Sequence, residues 1–195
     1  MCGSCQQKAA ETTENVDQEN VKSTTMEDLM TRRSVRQYTA EMPPTEVIEE
    51  ICKAGTYAPT GMNRQSPIII AVTNKEMRDR MSRLNAAVLG ADNDPFYGAP
   101  VVLVVLANRD TSYTYVEDGS LVMGNLMNAA HAKGLGSCWI HRAKEMFETE
   151  EGKQILKDLG IEGDYVGVGN CILGYTAGDY PEAKPRKENW VYWVK

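Results

Sequence analysis

The chain has 195 residues, 42% of them apolar, and a net charge of −6. That length and apolar share fit one domain with a substantial core. The acidic balance disfavours nucleic acid and anionic membranes as partners, so basic residues that cluster against it point to a local anionic ligand. The longest aliphatic runs, 67–72 and 100–107, are too short to cross a bilayer and read as buried strands.

Residues 1–25 are polar, without an aromatic and almost without an aliphatic side chain, so a disordered tail is expected there and an ordered domain over 26–195. Cys2 and Cys5 have redox or metal-ligand spacing but lack the second ligand pair of a zinc site and the strand-to-helix setting of a redox motif. A lipid-modified Cys2 is the alternative, and the expected location is cytoplasmic unless such an anchor exists. Cys52, Cys138 and Cys171 lie in apolar segments and read as small core hydrophobes.

Behind the short apolar stretch of Met26, Leu29 and Met30 comes Arg32-Arg33-Ser34-Val35-Arg36. Three guanidinium forks and a hydroxyl within five residues suit a phosphate monoester, because Arg matches phosphate oxygens two at a time. A solvated basic helix end is the competing reading. Pro43-Pro44 then opens a helix carried by Val47, Ile48, Ile51 and Ala54, with Gly55 placed to end it. The proline-bounded loop Pro59-Thr60-Gly61-Met62-Asn63-Arg64-Gln65 precedes a strand over 68–73; Asn63 and Gln65 each offer a donor and an acceptor to a heterocycle edge, or serve as ordinary turn residues.

A charged helix is expected over about 74–88, with Met77, Met81 and Leu84 on one face. The aliphatic run 101–106 reads as a strand buried on both faces, which requires helices above and below the sheet. Residues 116–133 form a helix apolar almost all round, fit for a core or a subunit interface, and its His131 reads as a satisfied helix-end histidine. A short strand over 137–141, one helix over 145–159 and a glycine-interrupted strand over 165–173 follow. The aromatic tail 190–194 is expected to pack onto something, a second subunit included.

Four separated motifs resemble those of the FMN-dependent nitroreductase family. They are Arg32-Arg33-Ser34-Val35-Arg36, the 59–65 loop, Gly134-Leu135-Gly136-Ser137-Cys138-Trp139-Ile140, and Gly174-Tyr175 followed by Lys184-Pro185-Arg186. The resemblance implies an α+β fold with a central mixed sheet flanked by helices, in a homodimer whose C-terminal arm crosses to the partner. It also implies FMN held by Arg32, Arg33, Ser34, Arg36, Lys184 and Arg186. Pro59, Thr60, Gly61, Asn63 and Gln65 would come from the other subunit, and Trp139, Ile140, His141 and Arg142 would line the ring with backbone N–H groups. NADH or NADPH would be the co-substrate and a nitro-aromatic, quinone or similar acceptor the oxidant, with no catalytic side chain and no metal. Reductive dehalogenation, flavin fragmentation and non-catalytic flavin binding are the alternatives on the same fold. The chain departs from the family pattern at Ser66-Pro67-Ile68, at Thr60-Gly61 and at His141-Arg142.

Overall fold

The computed structural model describes residues 26–195. The readings of the 1–25 tail and of Cys2 and Cys5 lie outside the described residues. The helices are α1 (Met26–Thr31), α2 (Thr45–Thr56), α3 (Lys75–Leu89), α4 (Tyr115–Ala132), α5 (Ala143–Glu148) and α6 (Glu150–Asp158). The strands are β1 (Pro67–Val72), β2 (Val101–Asn108), β3 (Gly136–Ile140) and β4 (Tyr165–Gly174). Among the described residues no helix is long and apolar enough to cross a membrane.

The strands form one sheet in the order β1-β2-β4-β3. Among the described residues every strand pair is antiparallel, and the parallel component of the expected mixed sheet is a single bridge from Ser34 to Ser137 on the outer side of β3. β2 is buried over its whole aliphatic run, as its composition predicts. Its alternate side chains enter two cores. Val101, Leu103 and Val105 pack with Ile48 and Ile51 of α2 and Leu126 of α4. Val102, Val104 and Leu106 pack with Met81 and Leu84 of α3, Met146 of α5 and Ile155 of α6.

Local chemistry sets the element ends. Asn74 caps α3 by accepting from the Met77 N–H at 2.9 Å, and Gly90 closes it in the left-handed region at φ 71°. Gly55 does not end α2, which runs on to Thr56; it lies against Leu126, where an added Cβ would stand 2.7 Å from a methyl carbon. Small size there lets α2 and α4 approach. The single helix expected over 145–159 is two helices broken at Thr149, whose hydroxyl accepts from the Gly152 N–H at 3.0 Å and donates to the Met146 carbonyl at 2.6 Å. Thr followed by Glu150 and Glu151 is a strong start signal, because it satisfies the free amides and complements the helix dipole.

Candidate functional site

Residues 32–36 run along the open edge of β3. The Val35 N–H donates to the Ser137 carbonyl at 3.0 Å, and Val35 itself is buried. This anchor leaves Arg32, Arg33 and Ser34 half-buried and Arg36 exposed. Arg33 spends Nη1 on the carbonyls of Met30 and Arg32, at 2.7 and 2.8 Å. Its Nε, together with Arg32 Nη1 and the hydroxyl of Ser137, is buried without a hydrogen-bond partner. No ion pair to a carboxylate relieves Arg32, Arg33 or Arg36 among the described residues. Buried guanidine nitrogens without partners are costly alone and favourable around an anion. Arg36 stands over the Tyr97 ring, 6.0 Å from its centroid.

The chain beyond β4 returns to this cluster. Tyr38 bridges to Thr176, and the Tyr180 hydroxyl accepts from the Arg33 N–H at 2.7 Å. Tyr180 also pairs with His131 Nδ1 at 3.2 Å and stacks on its ring, while His131 Nε2 meets the Thr31 hydroxyl at 2.9 Å. His131 is therefore a hydrogen-bonded helix-end residue, as its position predicts. Lys184 and Arg186 lie four and six residues past Tyr180 and are exposed; among the described residues no hydrogen bond joins them to the cluster, and Arg186 donates instead to the Lys184 carbonyl at 2.8 Å.

The 139–142 segment spans the end of β3 and the turn into α5. Trp139 is 50% exposed and meets His141 edge-on at 5.6 Å. Two buried asparagines hold the turn. Asn85 Nδ2 donates to the His141 carbonyl at 2.8 Å, and Asn170 Nδ2 reaches the carbonyls of Ile140 and His141 at 3.3 and 3.4 Å. In a trans peptide C=O and N–H point opposite ways, so pinning these carbonyls inward turns the N–H groups of His141 and Arg142 away from the core. Arg142 takes φ 73° as it enters α5.

The 59–65 loop is elsewhere. It contains a 3-10 turn, Gly61–Asn63, and leads into β1 at the far edge of the sheet from β3. Three strand spacings, roughly 14 Å, separate those edges. Met62, Asn63 and Gln65 have φ of 53°, 54° and 50°. Non-glycine residues enter that region at about 1 to 2 kcal/mol each. Gln65 Nε2 donates to Asn63 Oδ1 at 3.2 Å, and a cavity of about 470 Å³ lined by Cys52, Lys53, Thr56, Thr60 and Gln65 opens beside them. The loop's main tie is Asp118 of α4, which is 2% exposed and accepts from the Gly61 N–H at 2.8 Å and from the hydroxyls of Ser66, Ser112 and Thr114 at 3.1, 2.8 and 3.0 Å. Burial opposes its ionisation, but these bonds outweigh it and hold the carboxyl below the usual range.

One chain thus gathers Arg32, Arg33, Ser34, Arg36 and the 139–142 segment on one sheet edge and sets Pro59, Thr60, Gly61, Asn63 and Gln65 on the other. Sequence reading missed Asp118, Asn85, Asn170 and Tyr180. A carboxylate in the apolar helix, and an amide inside the strand of Gly169 and Cys171, are the signals that mark the first and third.

The model of the nitroreductase family matches residues 29–91 and 86–175. A protein of Archaeoglobus fulgidus named as a candidate NADH dehydrogenase/NAD(P)H nitroreductase is 33% identical over 165 residues, 81% of this chain and 90% of its own length. A nitroreductase from Bacteroides fragilis with bound FMN superposes with a TM-score of 0.79 at 26% identity, over 87% of this chain and 97% of its own. One from Desulfitobacterium hafniense, also with bound FMN, gives 0.78 at 26% identity over 88% and 99%. With the motifs, the sheet and these matches in agreement along the chain, it belongs to the nitroreductase family.

Proposed function

We propose that this chain is an FMN-dependent oxidoreductase that takes reducing equivalents from NADH or NADPH and passes them to nitro-aromatic, quinone or related acceptors. The observation that carries this reading is the arginine cradle on β3, where Arg32 Nη1, Arg33 Nε and the Ser137 hydroxyl are buried without partners. A phosphate monoester supplies acceptor oxygens and negative charge together, and the two similar nitroreductases hold FMN. The residues present fit that group. Arg32, Arg33, Ser34 and Arg36 would hold the phosphate and ribityl chain, with Lys184 and Arg186 adding charge from the arm.

Bound there, FMN supplies the hydride and electron chemistry. The protein's part is to orient and to donate. The N–H groups of His141 and Arg142, turned outward by Asn85 and Asn170, offer fixed donors to negative charge at the ring without a titrating side chain. Trp139 gives the ring an exposed aromatic wall.

The site closes in a homodimer. Asn63 and Gln65 lie at the opposite sheet edge, so a second copy is the source of loop residues that complete the pocket. The exposed aromatic arm 190–194 supports the same reading, since Trp190, Tyr192 and Trp193 are 67%, 82% and 80% exposed in the single chain.

The visible spectrum of the purified protein tests the proposal. A flavin spectrum that NADH or NADPH bleaches without oxygen, and that a quinone or nitro-aromatic restores, is expected. A colourless protein that takes up no FMN overturns it, and a yellow protein that neither nicotinamide bleaches leaves only a flavin carrier. Product analysis separates acceptor reduction from dehalogenation or flavin fragmentation.

A further inference from the structure

The loop that carries Asn63 and Gln65 holds three non-glycine residues in the left-handed region within four positions. Such a shape persists only where its surroundings over-determine it. Inside the loop, Thr60 accepts from the Asn63 N–H at its carbonyl, 3.0 Å, and from the Gln65 N–H at its hydroxyl, 3.1 Å. Both ends are then tied to one group: Asp118 Oδ1 accepts from the Gly61 N–H and the Thr114 hydroxyl, and Oδ2 from the hydroxyls of Ser66 and Ser112. Arg64 adds an exposed bond to the Thr111 carbonyl at 3.1 Å. With the loop so closed, the Gln65-to-Asn63 side-chain bond leaves the Asn63 NH2 and the Gln65 carbonyl oxygen as an adjacent donor and acceptor. That pair complements an acceptor and donor on the edge of a heterocycle.

We propose that Asp118 is the positioning residue that keeps the strained 59–65 loop in the shape presenting Asn63 and Gln65 to the isoalloxazine ring, so that flavin affinity depends on a buried carboxylate remote from the phosphate cradle. This rests on the flavin reading above. It separates two determinants: the cradle reads the phosphate, and the Asp118-held loop reads the ring.

The test pairs amide hydrogen exchange at Gly61 with titrations of FMN and riboflavin, on full-length wild-type protein and Asp118→Asn. The variant is expected to speed Gly61 exchange at least tenfold more than it speeds exchange of the β2 amides, which report the loss of global stability. Its affinities for FMN and riboflavin should fall by the same factor, tenfold or more, leaving their ratio unchanged. A purely structural role would lower the melting temperature and leave the affinity of the folded fraction intact. Should Asp118→Asn not fold, the double variant Ser112→Ala/Thr114→Val, which keeps the charge and removes two of its donors, is expected to show the same pattern in smaller measure. Unchanged Gly61 exchange, or faster exchange with both affinities within twofold of wild type, overturns the role of Asp118 alone. Wild-type protein that binds neither flavin overturns the proposed function and this role with it.

Discussion

Arg32 Nη1 and Arg33 Nε are buried beside the segment that the bond between Val35 and Ser137 anchors, and what they lack is an acceptor. A charge-assisted hydrogen bond contributes about 1.5 to 3 kcal/mol. Arg32→Ala is therefore expected to weaken FMN by roughly ten- to a hundredfold while barely changing riboflavin, which lacks the phosphate. Fluorescence titration with both flavins measures the ratio, and equal affinity of the wild type for the two would refute the cradle assignment. His141 is held through its main chain. Its carbonyl is fixed by Asn85 and Asn170 and its ring is exposed, so the main-chain donor persists whatever the side chain. General acid–base catalysis contributes a factor of about 100 to 10,000. His141→Ala should keep FMN and lose less than about tenfold in the quinone half-reaction followed by stopped flow. A hundredfold loss with flavin bound would make the imidazole a proton donor. The arginine cluster stands out in the sequence because its side-chain chemistry is local to five residues. The asparagine clamp does not, since a single buried amide looks alike in sequence whether it serves a turn 56 residues away or none.

At the scale of elements, what local chemistry decides was readable and what packing decides was not. The aliphatic run of β2 announced a strand covered on both faces, and Asn74 and Gly90 bracket α3 by their own side-chain and backbone properties. Gly55 reads in isolation as a helix stop, yet its role depends on Leu126, 71 positions on. Two carboxylates tie loops to helices, and both give the fold an acid-sensitive component. Burial opposes ionisation of Asp94, but Arg78, Ser82 and the N–H groups of Gly98 and Phe96 bind it and bring it below its ordinary 3.8; Asp118 is likewise lowered by its own set. A carboxyl whose folded pKa lies below its unfolded one stabilises the fold fully above the unfolded value, and that contribution is lost as pH falls through the folded value. Urea midpoints are therefore expected to be insensitive to these two groups above about pH 5 and to drop on acidification below about pH 4. Asp94→Asn should lower the midpoint at pH 7 and flatten the acid limb. An acid limb as steep in the variant as in the wild type would show that other groups set it.

For the whole molecule the decisive fact is the strand order β1-β2-β4-β3, which puts the arginine cradle and the Asn63 loop at opposite edges. Hydrophobic alternation identifies strands but carries no information on which strand pairs with which, so this separation was not legible, and only the family resemblance assigned the loop to a second subunit. The same chain exposes Met26 at 70%, Met30 at 64% and Leu121 at 47%, along with the arm 190–194. Apolar area of this kind drives association in proportion to what it removes from water. Truncation after Arg186 keeps Lys184 and Arg186, the two cations assigned to the phosphate, and removes Trp190, Val191, Tyr192, Trp193 and Val194 together with Lys187, Glu188 and Lys195. If the arm joins two copies around the flavin, sedimentation at micromolar concentration should show the truncated chain shifted towards monomer, and flavin occupancy should fall in step with the dimer fraction. If the arm merely shields its own protomer, the truncated chain should lose melting temperature yet remain a yellow dimer. A truncated monomer that stays yellow and is bleached by NADH or NADPH at the wild-type rate would mean that one copy builds the whole site, and that the loop at the far sheet edge has no part in it.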